Sequence, residues 1–332
     1  METLSDVFDD VESMLSKHTY NGNVSLYLMR YRTKSNESGE KVHFPSFYNP
    51  QLDEDIQCSF LKILKDSRQI YNKETTDYVV NGGSVNTLSK LDVNNYGNVE
   101  KLFNDLDNKV NVKPDLSKIN MKSLKCYIVE VKLSDNTKIY YFGNIRNFST
   151  LQSKSLMLRR TQTATSNSEL KKFDISDTVG FDLDVVMIKL GDNIYVSKIA
   201  KFETIFRMSE YFMNEANTVI DSVCTSQKID KGMIPALKNV STSDSRIAKM
   251  VMKLKYRKAV VNTFFERLDD DIFKDITEDE KIGSVYDDVT FIDGKLSVKN
   301  VGDIQQIKAF IKFIADTAKR GIGSGVSSTE DY

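Results

Sequence analysis

The chain has 332 residues, enough for one large domain or two of average size, and its 40% hydrophobic and 28% charged content is that of a soluble globular protein. The formal net charge of −1 excludes a general attraction to nucleic acid, so a polyanion site has to come from local clustering of basic residues. Three widely spaced cysteines, an acidic N-terminus unlike a secretory leader and no apolar run of about 18 residues predict free thiols, a cytoplasmic location and no membrane span.

The first third of the chain mixes helix and strand patterns. The spacing of apolar residues predicts helices over 4–17, 51–67 and 99–110. It also predicts a strand over 24–31. Pro114 and its polar neighbours then interrupt the pattern. We therefore predict three regions: a variable α+β region over 1–115, a core domain over 116–320 and a disordered tail over 321–332.

The middle of the chain is dominated by predicted hairpins. Residues 124–133 and 138–142 predict one hairpin, and the Ser/Thr-rich stretch 152–172 predicts a mobile loop. Residues 181–190 and 194–198 flank Gly191-Asp192-Asn193 and predict a second, buried hairpin. It leads into an apolar stripe over 202–223, which predicts one long amphipathic helix.

The last third is mainly helical. A helix capped by Ser243 or Asp244 is predicted to reach about Leu268, followed by a hairpin near 289–298 and a helix over 303–318. The predicted fold class is α+β, with small antiparallel hairpins or sheets packed against long amphipathic helices.

The most informative polar feature is the predicted helix after Asp244. It carries six basic residues against that single acid: Arg246, Lys249, Lys253, Lys255, Arg257 and Lys258. Four of them are spaced 3, 4 and 4 positions apart, which places them on one helix face and matches the phosphates of a duplex without reading sequence. The predicted loop could add Lys154, Arg159 and Arg160. The residues alone leave a second interpretation open, that of a solvated helix face neutralised by the acids at 269–280.

A nuclease pattern also occurs. Pro114-Asp115 followed by Glu130-Val131-Lys132 matches the P-D…E-x-K arrangement, in which two carboxylates hold Mg²⁺ and a lysine stabilises charge. The ordinary alternative is a strand with Glu and Lys on its solvent side. Asp182 and Asp184 share a strand face but have no evident third ligand. Because the sequence has no P-loop motif and no zinc spacing, and nothing in it points to a catalytic triad, we assign no catalytic residue, no metal and no cofactor.

The predicted hairpin and the helix after it resemble the KwaB-like family of the bacterial Kiwa anti-phage system. The similar positions are Phe181-Asp182-Leu183-Asp184-Val185-Val186, Gly191-Asp192-Asn193-Ile194-Tyr195-Val196 and Phe202-Glu203-Thr204-Ile205-Phe206. By element order the resemblance extends from residue 120 to residue 318.

The resemblance implies a cytoplasmic, non-enzymatic effector that binds double-stranded phage DNA without sequence specificity. It also implies a membrane partner, KwaA, that could bring the protein to the inner membrane face, and self-association as a homodimer or a higher homo-oligomer. Two alternatives stay open: a Mg²⁺-dependent nuclease using Asp115, Glu130 and Lys132, and an interaction scaffold that does not bind DNA.

Overall fold

The chain folds into two compact units. The structure, a computed structural model, describes residues 3–35, 39, 41–80, 86–113, 123–146, 158–162, 168–172, 180–278 and 283–319. The first unit consists of Met1–Asp77 with Val85–Phe206, and the second of Tyr78–Ser84 with Arg207–Tyr332. The predicted regional boundary at 115/116 and the predicted tail over 321–332 lie outside the described residues.

A nine-stranded sheet organises the first unit. Its strands, in chain order, are β1 (Val24–Ser35), β2 (Lys41–Tyr48), β3 (Glu74–Asp77), β4 (Thr87–Asp92), β5 (Val112–Lys113), β6 (Cys126–Lys132), β7 (Lys138–Arg146), β10 (Gly180–Leu190) and β11 (Asn193–Val196). The order across the sheet is β3-β4-β11-β10-β7-β6-β1-β2-β5. All neighbours are antiparallel except the two edge pairs, β3 with β4 and β2 with β5. The α+β class is confirmed. The predicted hairpins over 124–142 and 181–198 join into one large sheet, whereas the one near 289–298 forms a small separate sheet as predicted.

Helices cover both faces of this sheet. On one face, Val11 of α1 (Leu4–Lys17) and Leu61 of α2 (Glu54–Asp66) share a core with Val129 and Tyr141. A short α3 (Arg68–Tyr71) follows α2. On the opposite face, Phe103 of α4 (Gly97–Asp107) contacts Phe142 and Phe206, the residue that follows α5 (Ile199–Ile205). Successive side chains of a strand point to opposite faces of the sheet, so neighbouring residues of one strand contribute to the two different cores.

The second unit is mainly helical. Its elements are α6 (Met208–Val223), α7 (Met233–Ser243), α8 (Ser245–Lys255), α9 (Lys258–Arg267), α10 (Asp270–Thr277), the hairpin β12 (Val289–Ile292) and β13 (Lys295–Val298), and α11 (Ile304–Lys319). Phe313 of α11 is in contact with the rings of Phe264, Phe273 and Tyr286, and these four residues form an aromatic core of the second unit. None of the helices in the described ranges is long and apolar enough to cross a bilayer.

The single helix predicted from 202 into 223 is wrong. α5 ends at Ile205 and α6 begins at Met208, because Arg207 adopts the left-handed conformation with φ of 52°. The apolar spacing continues across this break, so periodicity gave no sign of it.

The single helix predicted to reach Leu268 is also wrong. α8 ends at Lys255 and α9 begins at Lys258. Both Ala248 and Phe264 are buried, yet their sixteen-residue separation would put them about 160° apart on one straight helix. The break lets each helix direct its own apolar side into the core.

Part of the predicted loop over 152–172 is a hairpin. The backbone of β8 (Leu158–Gln162) pairs antiparallel with β9 (Ser168–Lys172) in a separate two-stranded sheet. Residues 152–157 and 163–167 lie outside the described residues.

Candidate nucleic-acid interface

The basic face of α8, which we define as Arg246, Lys249 and Lys253, lies opposite the buried side of this helix. Ile247 and Val251 on the other side are at most 1% exposed. The side chain of Arg246 is 78% exposed, and Lys249 and Lys253 are half-buried. Of the four cations predicted to share one helix face, Arg246, Lys249 and Lys253 share a face of α8, whereas Arg257 lies in the break that follows it.

Asp244 organises the N-terminal end of this face. Its Oδ1 caps α8 by accepting the backbone N–H of Arg246 at 2.8 Å. Its two carboxylate oxygens also accept from Nε and Nη2 of Arg246 at 3.2 and 3.0 Å. These hydrogen bonds lower the pKa of Asp244 to about 2. Because the guanidinium is largely exposed, the ion pair is weak and leaves Arg246 donors directed to solvent.

The remaining cations of the predicted helix lie at the C-terminal end of α8, in the break after it and at the start of α9. Lys255 and Lys258 are exposed. Arg257 lies in the break between α8 and α9, where its Nη1 donates to the carbonyl of Ala315 at 3.2 Å. That bond uses one of five guanidinium N–H groups. Lysines in the last turn also interact favourably with the negative end of the helix dipole, which is a purely structural reason for their position.

Several of the acidic residues after α9 stabilise α10, the helix in which they lie or which they precede. Asp269 caps α10 by accepting the N–H of Ile272 at 2.8 Å, and Glu278 pairs with Lys274 at 3.8 Å. Asp270 and Asp271 lie in the first turn of α10, where negative charge stabilises the helix.

The second predicted basic segment is only partly described. The backbones of Arg159 and Arg160 lie in β8, opposite Lys171 and Leu170 of β9. Lys154 lies outside the described residues.

The nuclease residues do not come together as a described site. Asp115 lies outside the described residues, and the exposed Lys132 follows Glu130 on the same face of β6. The Glu130 side chain is 17% exposed; it lies 3.5 Å from Lys138 Nζ and 3.3 Å from each of the Tyr27 and Tyr140 hydroxyls. In the part of the chain that the structure describes, no three His, Cys, Asp or Glu residues are grouped to hold a metal.

Glu130 instead belongs to a polar network that the sequence did not predict. Tyr140 faces both Glu130 and Asp107, the last residue of α4, and its single hydroxyl proton serves one carboxylate at a time. Burial, and the facing carboxylates, raise the pKa of Tyr140 well above its ordinary value. Nearby, Lys189 lies over the ring of Phe103 at 5.0 Å, and burial lowers the pKa of its ammonium group. This network arises from cross-strand pairing of β6, β7 and β10, which spacing along one strand cannot reveal.

Asp182 and Asp184 have structural contacts. The backbone carbonyl of Asp182 accepts the Tyr127 hydroxyl at 2.6 Å, and the Asp184 carboxylate pairs with Lys198 at 2.6 Å. Both lie where the register of β10 shifts against β7, and Leu183 between them is 72% exposed. The register shift separates this part of β10 from the regular ladder.

Comparison with known proteins gives one match. The model of a family described as Kiwa protein KwaB-like matches residues 121–320, more than half of the chain. No curated protein and no solved structure matches.

Proposed function

The chain belongs to the Kiwa KwaB-like family, and from this premise we propose that it binds duplex DNA through phosphate contacts made by α8 and does not cut it. Family membership implies a role in Kiwa anti-phage defence. The observation that carries the proposal is the basic face of α8, which lies opposite a fully packed side and continues into the exposed Lys255 and Lys258.

The chemistry of this surface fits the phosphate backbone rather than base edges. Cations spaced along one side of a helix neutralise successive phosphates and release counterions, which requires charge but no defined hydrogen-bond pattern. With four to six phosphates neutralised, log K would fall with log salt at a slope of about −4 to −5. Binding of this kind would act by obstructing the use of phage DNA.

We also propose, from the family, that the protein acts in the cytoplasm with the membrane protein KwaA and self-associates. Co-purification with KwaA from detergent-solubilised membranes tests the first interaction, and light scattering on the purified chain tests the second. A chain that elutes as a monomer and leaves KwaA behind would contradict both.

The salt dependence of duplex binding tests the α8 site. Replacing Arg246→Gln on the basic face and Lys255→Gln at the end of α8 removes two phosphate contacts, so the slope should become shallower by about 2. The matched control is Lys231→Gln with Lys312→Gln, two exposed lysines of the same unit, which should leave the slope unchanged. An α8 variant that behaves like this control contradicts the assigned site, and a wild-type chain without salt-dependent duplex binding contradicts the function.

The same titration with Mg²⁺ tests the non-enzymatic part of the proposal. The duplex should remain intact after incubation with the wild-type chain. Cleavage that disappears in Glu130→Ala but persists in the α8 variant would instead support the nuclease alternative.

A further inference from the structure

An arm formed by β1 and β2 extends past the described parts of β5 and β6, its neighbours in the large sheet. β1 pairs with β6 only from Val24 to Met29, and β2 pairs with β5 only at Phe47 and Tyr48. Within the part of the chain that the structure describes, residues 30–35 and 41–46, which we call the arm, pair only with each other. The arm lies in the first unit and outside the residues matched by the family model.

One side of the arm is fixed by polar contacts. The hydroxyl of Tyr31 donates to the carbonyl of Ile205 at 2.8 Å. Further along, Thr33 Oγ1 lies 3.0 Å from His43 Nδ1 across the two strands. These contacts hold a two-stranded ribbon that would be marginally stable by itself.

The other side of the arm carries positive charge at alternate positions, Arg30, Arg32 and Lys34. Arg30 is packed, with its guanidinium 5.3 Å from the centre of the Tyr48 ring and its Nη1 3.4 Å from Ser123 Oγ. Lys34 is exposed, and its Nζ lies 5.3 Å from the centre of the Phe44 ring. Among the residues that the structure describes, no carboxylate forms an ion pair with these three cations.

We propose that the arm is a second contact for duplex DNA, in which Arg32 and Lys34 bind backbone phosphates; this inference rests on the proposed function. The major groove admits a two-stranded β-ribbon, and the basic side of the arm supplies the charge that the flanking phosphates require. The position of Lys34 over the Phe44 ring orients its ammonium group before DNA arrives. The ordinary role of such charges, protection of an exposed strand edge, predicts no effect on DNA binding.

Duplex binding by three double variants of the full chain tests the arm. Arg32→Gln with Lys34→Gln should make the slope of log K against log salt shallower by about 2. The charge-keeping pair Arg32→Lys with Lys34→Arg should retain the wild-type slope, because a phosphate contact needs the charge alone. Lys17→Gln with Lys62→Gln removes two exposed lysines from α1 and α2 and should leave the slope unchanged.

The outcomes separate the arm from the proposed function. If the wild-type chain binds duplex and the arm variant keeps its slope, the arm inference is overturned while DNA binding stands. If the arm variant loses slope and the α8 variant does not, the arm is supported and the α8 assignment is overturned. A wild-type chain that does not bind duplex overturns both. Circular dichroism confirms that each variant is folded.

Discussion

Tyr127 lies across the glycine of the neighbouring strand, and this contact shows how one residue fixes the register of the sheet. Tyr127 and Gly143 are direct partners between β6 and β7. A Cβ atom at Gly143 would overlap the Tyr127 ring, whose hydroxyl is held by the carbonyl of Asp182. A side chain at position 143 would force the ring out of this place and disturb three adjacent strands.

Gly143→Ala should therefore destabilise the protein by about 1–3 kcal/mol, the usual cost of overpacking a well-filled core. Gly97→Ala is the matched control, because a methyl group there meets no atom within 4 Å and Gly97 begins α4. Urea denaturation measures both. Equal stability of the two variants would show that the Tyr127 ring moves aside without cost.

Glu130 has a structural role by its contacts, and substitution distinguishes this role from catalysis. Glu130→Gln weakens the charge-assisted hydrogen bonds from Tyr27 and Tyr140 and should lower the free energy of unfolding by about 1–3 kcal/mol. Lys132→Gln, at an exposed position two residues later, should change it by less than about 0.5 kcal/mol. A Glu130→Gln protein as stable as the wild type would contradict the network.

At the level of elements, breaks divide both long predicted helices. Arg207 separates α5 from α6 at the point where the first compact unit ends, and residues 256–257 separate α8 from α9. At the second break, the helices on either side bury residues that one straight helix would direct to different sides, whereas the apolar spacing continues across the break at Arg207. The basic residues of α8 are therefore confined to a three-turn helix and its end.

The left-handed conformation of Arg207 predicts an order of stability between two substitutions. Both Arg207→Gly and Arg207→Ala remove the ion pair with Glu210, so their difference isolates the backbone. Glycine adopts positive φ without steric cost, and the glycine variant should be more stable than the alanine variant by about 1 kcal/mol. Thermal or urea unfolding measures the difference; an alanine variant that is the more stable of the two would contradict the assigned conformation.

The N-terminal cap of α8 predicts a dependence of stability on pH. The pKa of Asp244 is lowered from 3.8 to about 2 in the folded chain, so its charge stabilises the fold above pH 3.8 and this contribution is lost as the pH falls towards 2. Asp244→Asn keeps an oxygen that caps the helix but removes the charge. The free energy of unfolding of the wild type should exceed that of this variant by about 0.2–1 kcal/mol near neutral pH. This difference should vanish near pH 2. A difference that is constant across this range would exclude the Asp244 charge as its cause.

At the scale of the whole chain, the large sheet contains strands from both sides of the predicted boundary at 115/116. β1 lies between β2 and β6, and β4 pairs with β11, so strands from before residue 115 lie on both sides of the strands that follow it. The second unit contains α6 to α11 and a separate hairpin. A family match that begins at residue 121 therefore begins inside a compact unit.

A fragment of residues 121–332 should consequently fail to fold like the full chain. It lacks β1, which pairs with β6, and α1 and α2, which cover Val129 and Tyr141. The exposed strand edge and apolar face should cause aggregation and binding of a hydrophobic dye. A fragment of 207–332 provides the comparison, since it retains most of the second unit. A soluble 121–332 fragment with a cooperative melt would contradict this expectation.

The sequence by itself determined the α+β class, the hairpin of 181–198 and the placement of Arg246, Lys249 and Lys253 on one side of a helix. These features follow from local periodicity, which depends only on residues a few positions apart. Only the tertiary structure decided where the helices break, which strands meet in the nine-stranded sheet and which tyrosines surround Glu130. Such features depend on contacts between residues distant in the sequence, and no local pattern encodes which distant side chain will occupy the same space.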